Sequence, residues 1–355
     1  CWGEVGWYVD EVEVYSCAPP PPGLTIIKQV VNDDGGSATV DDFSITTSAG
    51  ALVFDGGSTI WDTTTYTAAQ LTGLTAGVPY DLTEADVDGY SEGSWICTPD
   101  VGDGAFDSGS VILPPDQAVT CKIVNDDIAP TLTVVKQVFN DNGGSASVAN
   151  FGITTDAGDL VFDGGSTVDD TTTYIALPLT GLTAGEPYTL AELDVTGYSE
   201  GVWDCSPNVG GGTFDSGSVT LLLGEDVTCT IVNDDIAPSL TVVKQVVNDN
   251  GGSATVTNFN LASSAGDLVF DGGNTVGATT TYTATPLTGL TAGSPYWLVE
   301  DDVAGYSEGT WCCIPDVGGG DYESGGVSLP LGEDVSCPFV NDGGGPSLAL
   351  GLQVG

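Results

Sequence analysis

The chain has 355 residues, of which 50 are Asp or Glu and only four are Lys or Arg, for a formal charge of −46 with no histidine and no methionine. Nucleic acid and anionic membranes both need clustered basic residues, so neither is expected as a partner; the balance favours cations, basic partners or a salty medium, and a dense acidic surface also serves solubility alone. Apolar residues make up 41%, enough for a core, yet no stretch approaches the roughly 20 apolar residues of a membrane span.

In chain order, residues 1–23 form an N-terminal strand segment and linker. Trp2, Trp7, Val12 and Val14 alternate like a folded strand, Cys1 and Cys17 are placed to bridge, and four prolines, Pro19 to Pro22, follow. The start at cysteine reads as a processed product or a fragment, any signal peptide having been removed. Residues 24–130, 131–238 and 239–345 are three copies of one unit. Lys28, Lys136 and Lys244 recur at a spacing of 108 residues, as do Glu84, Glu192 and Glu300, and Asn125, Asn233 and Asn341, with no insertion or deletion. A unit of that length can build its own core, whereas shorter solenoid repeats depend on their neighbours. Gly, Thr, Ser, Asp and Val dominate, turn signals recur and no helical period is sustained. The expected fold class is therefore all-β, three tandem Ig-like β-sandwiches in an extended array joined by Asp126–Pro130 and Asp234–Pro238. In the first copy, strands are predicted near 24–31, 43–47, 51–54, 64–68, 78–84, 93–97, 109–113 and 118–125.

Residues 346–355 begin a further copy: Pro346, Ser347, Leu348, Gln353 and Val354 align with Pro238, Ser239, Leu240, Gln245 and Val246, and Leu352 stands in the lysine's place. Residues 1–17 lack a first strand of their own. This predicts head-to-tail strand donation, with 346–355 of one molecule completing the sheet on 1–17 of the next. The alternative is a truncated longer array with a frayed end.

The lysines carry the sharpest signal. In Leu24-Thr-Ile-Ile-Lys28-Gln-Val30, a period of two puts Lys28 on the face of Leu24, Ile26 and Val30, where an unpaired ammonium is costly. The same count puts Glu84 with Tyr80 and Leu82, and Asn125 with Cys121 and Ile123, while Lys122 faces away. If the three meet, burial lowers the lysine pKa and raises that of the glutamate. The neutral amine can then attack the Asn carboxamide while the acid polarises the carbonyl and passes a proton to departing ammonia. The alternative is a buried Lys–Glu ion pair with Asn as hydrogen-bond partner. Both readings make the triad internal scaffolding, and with no histidine and no nucleophile elbow a turnover enzyme is not expected.

Cysteine spacing points to an oxidising compartment. Cys97 and Cys121, Cys205 and Cys229, and Cys313 and Cys337 read as one disulfide per copy, with Cys1–Cys17 as a fourth and Cys312 left over. Trp95, Trp203 and Trp311 share a face with their cysteines and read as core. The Asn-Asp-x-Gly-Gly segments at 32–36, 140–144 and 248–252 read first as tight turns. Their carboxylates, with those of the joints, are also candidate calcium ligands: Asp33, Asp34, Asp126, Asp127, Asp141, Asp234, Asp235 and Asp249.

Lysine in a first strand, glutamate in Tyr-x-Leu-x-Glu and asparagine in a Val-Asn-Asp ending resemble the collagen-adhesin B-type, or SpaA-like, prealbumin-fold domains of bacterial surface proteins and pilins. The resemblance spans 24–342 and implies a prealbumin-type β-sandwich with a spontaneous Lys–Asn isopeptide bond assisted by the acid. Those roles fall on Lys28, Glu84 and Asn125; Lys136, Glu192 and Asn233; and Lys244, Glu300 and Asn341. The expected function is a secreted structural subunit of a microbial cell-surface rod or filament, with copies of itself as partners and no cofactor apart from candidate calcium. The alternative is an adhesin stalk or calcium-dependent binding module of a larger surface protein.

Overall fold

A computed structural model describes residues 21–308, 310–321 and 325–344. Cys1 and Cys17, with their expected bridge, and the segments 1–17 and 346–355, with the expected strand donation, lie outside the described residues. The chain is almost entirely β, in three tandem prealbumin-like domains. By internal contacts it divides into two compact units. One holds the chain to Thr131 together with Thr180–Glu186 and Leu221–Asp226; the other holds Leu132–Leu179, Pro187–Thr220 and the chain from Val227.

The first repeat contains β1 (Gly23–Val31), β2 (Thr46–Thr47), β3 (Ser58–Ile60), β4 (Thr63–Thr67), β5 (Pro79–Thr83), β6 (Ser94–Thr98), β7 (Asp103–Ala105), β8 (Gly109–Ile112) and β9 (Ala118–Asp126). One sheet runs β3-β4-β1-β9-β6-β7 and the other β2-β5-β8. The first and last strands are therefore neighbours: β1 pairs in parallel with β9 from Gly23↔Ala118 to Val31↔Asp126 and antiparallel with β4. Alternation along β1 and β9 sends Leu24, Ile26, Val119, Cys121 and Ile123 inward against Leu82, Trp95, Val111 and Leu113. A smaller cluster of Val30, Val40, Phe43, Tyr66 and Tyr90 lies further along. Lys28 falls on β1 between Ile26 of the first cluster and Val30 of the second. Gly109 leaves room for the Trp95 ring, which a Cβ there would strike at 2.4 Å from Cδ1.

The second and third repeats follow a similar order of strands with altered sheet pairing. In the second repeat, Gly210–Thr213 pairs with both Val202–Ser206 and Gly217–Thr220, so the two layers merge into one nine-stranded sheet. In the third, Ser239–Val247 lies between Thr279–Thr283 and Asp334–Gly343.

Two expected strands are corrected. Residues 40–43 form a short 3-10 helix, and only Thr46–Thr47 of 43–47 pairs. The sequence Thr39-x-x-Asp42 is a capping box, with the Thr39 N–H donating to Asp42 Oδ2 at 2.7 Å, and it favours a helical turn over a strand. Of 51–54 only Phe54 bridges, to Ala68. The short strands β3 and β7 were hidden behind the Gly-Gly turn at 56–57 and the glycines at 102 and 104.

Candidate functional site

The structure brings lysine, glutamate and asparagine together in each repeat. Lys28 extends from β1, and Asn125 sits two positions on from Lys28's register partner Ile123 on β9, facing the same way. Glu84 follows β5 in the opposite sheet, with its backbone N–H donating to Phe106 O at 2.8 Å, so the triad ties both layers. Lys28 Nζ donates to Glu84 Oε2 at 2.8 Å and also contacts Asn125 Oδ1. Lys136 makes the same pair with Glu192 Oε2 at 2.8 Å and Asn233 Oδ1. Lys244 contacts Glu300 Oε2 and Asn341 Oδ1. All three lysines are 0% exposed.

Three features make these sites unlike an ordinary ion pair. The amine lies over an aromatic face: Lys28 Nζ is 3.6 Å from the Phe43 centroid, Lys136 Nζ 3.8 Å from Phe151 and Lys244 Nζ 4.0 Å from Phe259. In each glutamate the second oxygen, Oε1, is buried without a hydrogen-bond partner. Burial also pulls each lysine down to about 8 against the opposing pull of its glutamate, and burial pushes Glu300 up. A lysine at about 8 keeps on the order of a tenth of its population neutral at pH 7, against well under a thousandth at its ordinary value. The set thus places a buried amine, a side-chain carbonyl and a carboxyl group in contact. In the second repeat the Asn233 amide nitrogen donates to Ser199 O at 2.8 Å, which fixes the orientation of the carboxamide.

The sequence matches the SpaA-type prealbumin-like fold domain three times, over residues 20–123, 127–231 and 235–339. The chain belongs to this family. Each match ends two residues before the asparagine, so the place of Asn125, Asn233 and Asn341 in these prealbumin-like repeats is read from the structure. Among solved structures the chain aligns with the Bacillus anthracis TIE protein at 14% identity and a TM-score of 0.37, over 91% of this chain and 51% of that one. It aligns with the major pilin from Streptococcus pyogenes at 18% identity and a TM-score of 0.26, over 61% and 99%. Two B repeat units of the collagen-binding protein of Staphylococcus aureus align at 16% identity and a TM-score of 0.16, over 90% and 99%. The chain spans about half the length of the Bacillus protein. No curated protein sequence matches it.

In each prealbumin-like repeat a disulfide joins the last strand to the segment beside it. Cys97 lies directly across from Cys121, and Cys205 from Cys229, each pair bonded, as is Cys313 with Cys337. Cys312 is exposed and unbonded. The adjoining Trp95, Trp203 and Trp311 are buried, and Trp95 Nε1–H donates to Phe106 O at 3.1 Å.

The candidate calcium ligands divide. Asp33, Asp126 and Asp127 gather in the first repeat, and Asp141, Asp234 and Asp235 in the second. Asp34 and Asp249 join no such group among the described residues. Burial, with Asp33 and Asp127 nearby, raises the Asp126 pKa. Asp127 is itself buried and accepts backbone N–H bonds from Asp33 at 2.9 Å, Asp34 at 3.0 Å and Gly36 at 2.6 Å. Its first task is to clamp the 33–36 loop, and a Cβ at Gly36 would collide with it and with the Tyr90 hydroxyl. Asp235 clamps Asn142 and Gly144 in the same way. In the third repeat Gly343 replaces the clamp, and Asn250 Nδ2 donates to Gly343 O at 2.7 Å instead.

Sequence reasoning missed the aromatic cover of the amine and the tyrosine under the loop. Tyr90 receives Ala38 N–H at 2.9 Å and donates to Asn32 Oδ1, with its ring edge-on to Phe43. Phe43, Phe151 and Phe259, like Tyr90, Tyr198 and Tyr306, keep the 108-residue spacing of the lysines, and that recurrence was the signal available.

Proposed function

We propose that this chain is a secreted structural subunit of a microbial cell-surface rod or filament, each repeat closed by a Lys–Asn isopeptide bond and a disulfide. The observation that carries the reading is the same dry triad built three times: amine on an aromatic face, asparagine carbonyl in contact, glutamate with a bare second oxygen. Lys28 Nζ bonds to Asn125 Cγ, the Cγ–Nδ2 bond breaks, and a proton passes from Nζ through Glu84 to the departing nitrogen, so amine plus amide yields amide plus ammonia. Folding supplies the alignment, an advantage that reaches about 7 to 11 kcal/mol for well-oriented groups. The reaction happens once per repeat and leaves a scaffold.

The topology explains why such a bond suits a load-bearing part. Tension that enters at the start of β1 and leaves at the end of β9 shears two parallel neighbours, and a covalent link between them carries it past everything between Lys28 and Asn125. Intact mass under reducing conditions tests this: the chain should be three ammonia lighter than its sequence. Digestion at acidic residues should yield branched peptides that join residues 28 and 125, 136 and 233, and 244 and 341. Separate linear peptides would reject the reading.

Self-association by strand donation belongs to the same proposal and is supported by the alignment of 346–355 with a first strand. Deleting 346–355 should leave monomers, and unchanged polymers would remove that part. A second reading, a calcium-dependent adhesin stalk, is favoured by the two three-carboxylate groups. Calcium should then raise the melting temperature of the first two repeats over that in chelator and leave the third, with Gly343 in the clamp position, unmoved.

A further inference from the structure

β3 and β4 form a hairpin whose last pair is Ile60↔Thr63, so its loop is Trp61-Asp62. Trp61 has φ +57, and Asp62 is not among the positive-φ residues. A positive φ at the first loop residue alone is the pattern of a type II′ turn, which wants glycine there. The other two copies meet that demand cheaply: Asp169 at φ 53 and Gly277 at φ 65. Only the first repeat places a large ring in this strained conformation, where a bulky side chain is an outlier. The ring gains nothing from the fold in return, being 91% exposed.

The tip is nonetheless rigidly held. Asp62 O accepts the Asn32 N–H at 2.8 Å, as Asp170 and Ala278 accept Asn140 and Asn248, and Thr59 and Thr64 hydroxyls lie 2.9 Å apart across the hairpin. A strained, solvent-facing indole on a fixed support, recruited where sister copies use Asp or Gly, is built for contact with something outside the chain.

Charge selects the partner. In a chain of −46 whose four basic residues include three buried lysines, encounter favours a basic surface and repels anionic lipid. An indole beside the exposed Asp62 carboxylate matches a guanidinium, which stacks flat on an aromatic face and presents forked donors to an acid; a lysine ammonium does the second less well. We propose that Trp61 and Asp62 form a docking contact for an arginine on a basic partner protein.

The test uses the full chain, the variant Trp61→Asp, and oligoarginine and oligolysine peptides of equal length at physiological salt. Wild type should prefer oligoarginine. Trp61→Asp adds negative charge, so attraction by charge alone predicts equal or tighter binding, whereas loss of stacking predicts oligoarginine binding weaker by roughly three- to thirtyfold with oligolysine little changed. The variant should melt no lower than wild type, since its sister repeat carries Asp169 at the same φ; Trp61→Gly, which matches Gly277 of the third repeat, provides the second check. Unchanged or tighter oligoarginine binding, no preference between the peptides, or a lower melting point in both variants would each overturn the proposal. So would Trp61-dependent binding to a neutral oligosaccharide in place of oligoarginine, which would assign the tip to sugar.

Discussion

Replacing Glu84, Glu192 and Glu300 by Gln removes the acid from every repeat while keeping its shape. Without a proton carrier the amide should not form, and each repeat loses a closure between residues 97 apart in sequence. On the chain-entropy relation used for disulfides, a closure of that span stabilises a fold by about 4.7 kcal/mol. The disulfide inside it, spanning 24 residues, contributes about 3.4 kcal/mol on the same relation. Bypassing those residues changes the outer closure by only about 0.3 kcal/mol, so the two cross-links act nearly independently and the variant keeps the smaller one. With a guanidinium slope of roughly 2–6 kcal/mol/M, the unfolding midpoint should fall by about 1–2 M. Tryptophan fluorescence during denaturation reads the shift, and mass spectrometry of the same samples counts the ammonia retained. A triple variant with the wild-type midpoint, or a wild type whose mass equals that of its sequence, refutes the argument.

Three further outcomes follow from the same geometry. In the triple variant Asn125→Ala, Asn233→Ala, Asn341→Ala the lysines stay free with folded pKa values near 8, below the ordinary 10.5. The unfolded chain then binds more protons between those values, so stability should climb from pH 8 to 10.5, on the order of 3 kcal/mol per repeat, and be lost again as pH falls through 8; the wild type, its amines consumed, should lack that slope in parallel melts. Asp127→Asn weakens the clamp on three backbone amides, a loss of about 1–3 kcal/mol, and hydrogen exchange at Asp33, Asp34 and Gly36 should quicken while the triad keeps its ammonia deficit. Phe43→Ala opens the dry side of the amine and should destabilise the first repeat by about 3–5 kcal/mol, with slower ammonia loss from freshly synthesised chain; an unchanged rate would show that the ring plays no part in keeping the amine dry.

Much of the site could be read in advance because strand alternation is local. The inward placement of Lys28, Glu84 and Asn125 needs only a period of two, and threefold repetition made it hard to dismiss as chance. Phe43 escaped because it sits on a 3-10 turn, where the period-two count breaks down, and the turn itself arises from the Thr39–Asp42 cap. Asp127 is a candidate calcium ligand by its type and turn-rich surroundings, and its oxygens also meet amides some 90 residues away in sequence. No linear pattern reports such a contact. Trp61 lies between the predicted strands 51–54 and 64–68, and only the positive φ it shares with Asp169 and Gly277 marks a large ring there as out of place.

By itself the sequence determined the β class, the three repeats and the inward face of each lysine, since backbone periodicity and the cost of burying charge act along the chain. Only the tertiary structure decided that β1 and β9 run side by side, that glutamate arrives from the opposite layer, and that an aromatic ring dries the amine. Those are meetings between distant segments, set by how the sheets pack, and they bring three separately buried polar groups into one contact.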